Sequence, residues 1–262
     1  MSLHLSNTSL QGLKGLVVGV ANEHSIAWGC AEAFRAAGAE LAVTYLNAKA
    51  EPHVRPLAES IDATLIEALD VENDAQMGAL FEKISQDPNW GRLDFVLHSI
   101  AFAPLDDLHG PVLDTSREGF ARAMDISCHS LIRLARHAAP LMPHGGALLT
   151  MSYEGANRVA PNYGIMGLAK AALESATRSL AAELGPKNIS VNAISPGPIA
   201  TRAASGIVDF DQLMQDSVEH APLRRLVTIE EVGALATLLA SPAGRGITGD
   251  VIVVDGGRHI LY

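Results

Sequence analysis

Gly19-Val-Ala-Asn-Glu-His-Ser25-Ile26-Ala-Trp-Gly29-Cys30 overlaps the end of an apolar run at residues 16–20 and opens a helix-period segment at 26–37. A second β-rich run, 41–44, follows. Strand, glycine turn, helix and strand in this order form the first part of a βαβ unit. Gly19 permits a tight turn after the strand, Ser25 can cap the helix or bond a phosphate, and Gly29 lets the helix approach the sheet. Free N–H groups at the helix start attract an anion, so a dinucleotide pyrophosphate suits this place, with Ile26 beside it. The usual G-x-G-x-x-G spacing is absent. An ordinary serine-capped βα turn is an equal reading of the stretch taken alone.

The alternation continues to the end of the chain. Strands are expected at 16–20, 41–44, 64–68, 95–99, 147–151, 190–194 and 251–254, with helices at 26–37, 75–84, 118–140, 163–184 and 229–240. Ser25, Asn73 and Thr228 stand where helices begin, and Thr228-Ile-Glu-Glu231 has the capping-box spacing. The pattern predicts a single α/β domain over residues 1–262, a Rossmann-type doubly wound sheet of seven parallel strands. The least regular stretch, 196–220, is rich in Gly, Ala, Pro and Ser and is a candidate substrate-binding lid.

A net charge of −10 and the lack of a basic run argue against nucleic acid and anionic membranes as partners. No stretch approaches the ~20 apolar residues of a bilayer span. The first residues lack the basic patch and apolar core of a secretory signal, so a cytoplasmic location is expected. Cys30 and Cys128 have no metal-like spacing, and no histidine pair forms HxH or HExxH, so no metal is expected.

Candidate chemistry concentrates in Met151-Ser-Tyr153-Glu-Gly-Ala-Asn-Arg-Val-Ala-Pro-Asn-Tyr163-Gly-Ile-Met166-Gly-Leu-Ala-Lys170. Seven helical residues span about 700°, within roughly 20° of two turns, so Tyr163 and Lys170 share a face about 10 Å apart along the axis. A phenol and an ammonium so placed suit stabilisation of an oxyanion next to a held cofactor. A half-buried tyrosine with a satisfied hydroxyl is the plainer alternative. Two strand ends should line the same crevice. Asp70-Val71 can receive an adenine amino group, and Ser99-Ile100-Ala101 can pass under the ribose and nicotinamide.

Taken together, these residues resemble the enoyl-acyl-carrier-protein reductases of bacterial fatty acid synthesis, a divergent branch of the short-chain dehydrogenase/reductase family. The resemblance covers nearly the whole chain. It includes Gly19-x5-Ser25-Ile26-Ala27, Asp70-Val71, His98-Ser99-Ile100, Ser152-Tyr153, Pro161-Asn162-Tyr163, Met166-Gly-Leu-Ala-Lys170, Val191-Asn-Ala-Ile194, Gly197-Pro198-Ile199-x-Thr201, Ala203-Ala-Ser-Gly-Ile207 and Asp255-Gly-Gly257. The Tyr-x6-Lys spacing is specific to the branch, whereas ordinary members use Tyr-x3-Lys. The resemblance implies that hydride passes from NADH to the β-carbon of a trans-2-enoyl thioester on acyl carrier protein. Tyr163 would stabilise the enolate, Lys170 would bind the nicotinamide ribose, and Tyr153 would contact the substrate. Met166, Ala101, Ala103, Ile207 and Phe210 would shape the acyl pocket, and Ile199 and Thr201 would contact the cofactor. A homotetramer is also implied.

Three departures from the family pattern stand out. The second strand ends in Thr44-Tyr45-Leu46-Asn47-Ala48-Lys49, with neither the carboxylate that grips a ribose 2′-hydroxyl nor an arginine for a 2′-phosphate, which favours NADH and leaves NADPH open. Ala101 and Pro196 replace the glycine and alanine of many relatives. Ile207-Val-Asp209-Phe210-Asp211 replaces the basic docking run of well-known relatives, leaving Arg202, Arg224 and Arg225 as other sources of positive charge. A carbonyl or conjugated-ketone reductase and a non-catalytic nucleotide-sensing relative are the alternative readings.

Overall fold

A computed structural model describes residues 8–201, 204 and 208–261. Seven strands form one parallel sheet: β1 (Lys14–Val18), β2 (Glu40–Tyr45), β3 (Leu65–Ala68), β4 (Phe95–His98), β5 (Gly146–Met151), β6 (Ile189–Pro196) and β7 (Val251–Val254). Their order is β3-β2-β1-β4-β5-β6-β7. The chain builds outward from β1 in one direction, then returns and builds outward from β4 in the other. The crevice above the β1–β4 boundary is therefore the topological switch point.

Both faces of the sheet are covered, and β1 shows how its sequence serves both. Alternate side chains of a strand point to opposite faces. Leu16 and Val18 join Met77, Phe81, Leu134 and Leu173 in one core. That core lies under α3 (Asp74–Gln86), α6 (Ser130–Ala138) and α7 (Gly164–Leu184). Val17 joins Trp28, Phe34, Val43, Val54 and Val232 in the other. Here α1 (Ile26–Ala36), α2 (Glu51–Ser60) and α9 (Ile229–Ala240) form the cover. The remaining helices are α4 (Leu105–His109), α5 (Arg117–Met124) and α8 (Phe210–His220).

The first strand runs two residues earlier than its apolar signal. Lys14 and Gly15 pair with Glu40 and Leu41, and the chain leaves the sheet at Gly19, whose φ is +114°. Gly15 also makes room for the Phe95 ring, since a Cβ there would lie 2.1 Å from it. The glycine approach at Gly29 is to α9 rather than to the sheet. A Cβ on Gly29 would meet Ile229 at 2.7 Å, and one on Gly233 would meet the Gly29 carbonyl at 2.5 Å.

Asn73 caps α3 by accepting from Gln76 N at 3.1 Å, and Thr228 and Glu231 close the capping box of α9. Such caps contribute about 1 kcal/mol each. Ser25 holds the N-cap position of α1 without bonding a helical N–H. The expected helix over 118–140 is interrupted. A π-helical turn, Asp125–His129, separates α5 from α6, and a 3₁₀ turn, Ala139–Leu141, follows α6. Helix α2 lies in a stretch with no expected helix and contains Pro52 and Pro56. Pro52 occupies the tolerant first turn, and Glu51 pairs with Arg55 one turn on at 2.6 Å.

Candidate active site

A cleft of about 420 Å³ opens at the C-terminal ends of β1, β4, β5 and β6. Gly19, Ser25, Ile26, Ser99, Ile100, Ala101, Ala103, Tyr153, Tyr163, Met166, Lys170, Ile199, Thr201 and Phe210 all line it. Asp70 and Val71 lie beyond β3, outside this lining. Asp70 accepts from Glu72 N at 3.0 Å and Val71 is buried. Ile207 and Arg202 lie outside the described residues. Leu105, Leu108 and Phe102 also line the cleft. Sequence reading missed Leu105 and Leu108 because α4 is a short five-residue helix with no periodic signal, and Phe102 because it lies in the loop after β4.

The cradle at the β1 end is made by close backbone approach. A Cβ on Gly19 would fall 2.1 Å from the Ser99 carbonyl oxygen. Ser25 organises the turn from within: its Oγ accepts from Ala21 N and Asn22 N, both at 3.0 Å. It also donates to Asn22 Oδ1 at 3.3 Å. The first N–H groups of α1, at Ile26 and Ala27, have no intrahelical acceptor and can receive an anion. These features fit a dinucleotide pyrophosphate. At the end of β2, Asn47 Oδ1 is engaged by Lys49 N and Ala50 N at 3.0 and 3.2 Å, and Arg55 is held by Glu51.

Lys170 is 4% exposed. Its ammonium donates to the Met151 carbonyl at 2.7 Å and to the Ile100 carbonyl at 3.4 Å, which leaves one of its three N–H groups for a ligand. Burial pulls its pKa down to about 8, against the opposing pull of Cys128 and of Glu174 one turn on. Among the described residues no hydrogen bond joins this ammonium to the Tyr163 phenol. The two groups meet through the cleft they share.

Tyr163 immediately precedes α7. Its ring packs edge-on against Tyr153 with centroids 4.9 Å apart. A Cβ on Gly155 would lie 2.5 Å from that ring. Burial pushes the Tyr163 phenol well above its ordinary range, so it stays a proton donor at neutral pH. Tyr153 is raised for the same reason first and by Glu154 second, and its hydroxyl reaches Glu154 at 3.4 Å.

The π-helical turn serves this wall. Ser127 accepts from Phe102 N at 2.9 Å and donates to Phe102 O at 3.0 Å, pinning the loop after β4. Below it, His98 sits between Thr150 and Ser130, each at 2.8 Å. Ser130 donates to the Ile126 carbonyl at 2.6 Å, so it accepts from the imidazole Nε2–H while Thr150 donates to Nδ1. Burial, then the charge of Lys170, lowers the His98 pKa to about 3, keeping the ring neutral under Lys170.

At the mouth, Asp209 and Asp211 are exposed. Arg225 is tied to Glu231 by two hydrogen bonds of 2.7 and 2.8 Å, and Arg224 to the Glu219 carbonyl. Among the described residues no cluster of His, Cys, Asp and Glu could hold a metal ion, and no helix is long and apolar enough to cross a membrane.

A doubly wound sheet with a glycine cradle at its switch point and a phenol and a buried ammonium lining one apolar cleft defines a dinucleotide-binding oxidoreductase of the short-chain dehydrogenase/reductase type. The family model for enoyl-(acyl carrier protein) reductase matches residues 19–259. The chain is 46% identical over 254 residues to the enoyl-acyl-carrier-protein reductase (NADH) 2 of Rhizobium meliloti, covering 97% of this chain and 94% of that one. The solved reductase of Anaplasma phagocytophilum in complex with NAD superposes with a TM-score of 0.92 at 44% identity, over 96% of this chain and 95% of that one. That of Bacillus cereus, with NADP+ and an indole naphthyridinone, gives 0.94 at 47% identity, over 97% and 98%. The chain belongs to the enoyl-(acyl carrier protein) reductase family.

Proposed function

We propose that this protein reduces the 2,3 double bond of trans-2-enoyl thioesters carried on acyl carrier protein, using NADH, in fatty acid biosynthesis. The observation that carries the reading is the convergence of Tyr163, Tyr153 and Lys170 on one apolar cleft whose far end is the Gly19–Ile26 cradle. Bound there, the dihydronicotinamide supplies the hydride. Lys170 holds the ribose with its remaining N–H while the Met151 and Ile100 carbonyls fix its direction. Charge gathers on the thioester oxygen once the β-carbon takes the hydride, the Tyr163 hydroxyl donates a hydrogen bond to it, and a proton from solvent taken up at the α-carbon completes the reduction. A donor kept protonated by burial, in a site of low polarity, is worth far more there than in water. Tyr153 contacts the substrate and supports the Tyr163 ring.

Met166, Ala101, Ala103, Phe210 and Ile207 receive the acyl chain, with 196–220 as a lid. Ile199 and Thr201 close on the cofactor from that side, and Asp70 and Val71 meet the adenine end. The relatives named for NADH support NADH as the cofactor, while the Lys49 side chain beside Asn47 leaves NADPH open. A homotetramer, as the family resemblance implies, working in the cytoplasm without membrane or nucleic-acid partners completes the proposal. The test is turnover of crotonyl thioesters of acyl carrier protein and coenzyme A, and of a ketone panel, with each reduced nicotinamide. Turnover of the enoyl thioesters with NADH is expected. Activity confined to ketones, or none despite cofactor binding, overturns the reading.

A further inference from the structure

Glu174 is a buried carboxylate for which the chemistry above has no use. It lies on α7 one turn beyond Lys170 and is 4% exposed. A carboxylate so deeply buried is costly unless both oxygens find partners. Oε1 accepts from the Ser152 hydroxyl at 2.6 Å and Oε2 from Asn157 Nδ2 at 3.1 Å. Ser152 and Asn157 are the two ends of a segment that contains Tyr153 and the 3₁₀ turn Glu154–Ala156. One carboxylate thus grips both ends of the segment that leaves β5.

The gripped segment is pressed against the catalytic tyrosine. Gly155 leaves no room for a Cβ beside the Tyr163 ring, and a Cβ on Gly167 would fall 2.9 Å from the Gly155 carbonyl oxygen. Tyr153 meets the same ring edge-on. A displacement of the segment by a fraction of an ångström moves both phenols.

Resting on the function proposed above, we propose that Glu174 is a positioning residue for enoyl-thioester reduction. Through Ser152 and Asn157 it sets the place of Tyr153 and Gly155, and through them the Tyr163 hydroxyl. Its action through these contacts is on the turnover step, and because its charge also supports the Lys170 ammonium, the comparison of NADH binding is made at pH 6, below the Lys170 pKa of about 8.

The test uses the full chain in wild-type form and as Glu174→Ala, Glu174→Gln and Ser152→Ala, measuring kcat and KM for crotonyl thioester, Kd for NADH by fluorescence, and Tm. Glu174→Ala should lower kcat by about tenfold or more, as misplacement of reacting groups does, with the NADH Kd within about twofold of wild type. Glu174→Gln keeps an acceptor for Ser152 and should recover most of kcat. Ser152→Ala should lower kcat less than Glu174→Ala does. Wild-type kcat in Glu174→Ala overturns the proposal, as does a Glu174→Gln no better than Glu174→Ala, or a loss shared equally by kcat and NADH binding. If Glu174→Ala does not fold, Ser152→Ala decides, and wild-type kcat there overturns it. A wild-type protein inert toward enoyl thioesters overturns both this proposal and the function beneath it, whereas loss confined to the variants bears on Glu174 alone.

Discussion

On one wall of the cleft, the side chains of Lys170, Glu174 and Ser127 are held by hydrogen bonds to fixed partners, and the elements that carry them are α7 and the π-helical turn. On the side formed by 196–210 the described residues are held largely through the backbone, with Gly197 N donating to the Val254 carbonyl at 2.8 Å and Ala204 N to Thr201 Oγ1 at 3.1 Å. Thr201 N donates to the Ile199 carbonyl at 2.8 Å, and Asn162 Nδ2 reaches the Val208 carbonyl at 3.0 Å. Helix α8 begins after Asp209 at a φ of +57°, without a side-chain cap, and Ser217 is its one buried residue. The difference matches two demands. Charge developing on a small atom needs donors held within a few tenths of an ångström, whereas an acyl chain needs apolar surface and tolerates variation in where it lies.

The largest departure in cofactor binding is expected where the rigid wall meets the cofactor. Lys170→Ala should weaken NADH binding by about tenfold or more, the scale of a charge-assisted hydrogen bond, and titration of NADH fluorescence reads it. Because Lys170 loses its proton near pH 8, kcat/KM for NADH should decline above that pH. The same shift acts on stability. The unfolded chain keeps this proton to about pH 10.5 and the folded chain to about 8, so the unfolded state holds more protons in that window. The Lys170 contribution to stability is lowest below pH 8 and rises toward pH 10.5, a slope that urea melts should show in wild type and not in Lys170→Met.

On the other wall, Phe210→Ala should raise KM for a long-chain enoyl thioester by roughly three- to tenfold with little change in kcat, since burial of an aromatic ring is uniform binding. A large fall in kcat would show that both walls serve the chemical step and would break the contrast drawn above. A smaller effect belongs to the rim. Asp209→Asn with Asp211→Asn should lower KM for the carrier-bound substrate about twofold at low salt, and the gain should vanish at high salt and with coenzyme A thioesters.

The fold was legible because β1, β2, β4 and β5 are apolar runs with almost no charge in them, and because Gly19 and Thr228 mark turn and cap by chemistry that sequence alone displays. What escaped has physical reasons. Pro56 hid α2, since a proline in mid-helix costs stability that here the burial of Val54 and Ala58 offsets. The π-helical turn has no periodicity of its own within 118–140, and its Ser127 bonds Phe102, 25 residues away in the chain. At the site, the Tyr163 to Lys170 spacing was readable, but the ammonium turns to two carbonyls rather than to the phenol. Glu174, four residues after Lys170 on the same helical face, carried a signal of spacing that only its burial makes meaningful.

The most direct test of the account is the pairing of kcat with NADH Kd in Tyr163→Phe, which removes one hydroxyl and keeps the ring that Gly155 and Tyr153 pack against. The account predicts a fall in kcat of about a hundredfold, the scale of one lost oxyanion donor, with NADH Kd within about twofold of wild type. A kcat within twofold of wild type, or a loss that appears in NADH binding instead, would contradict it.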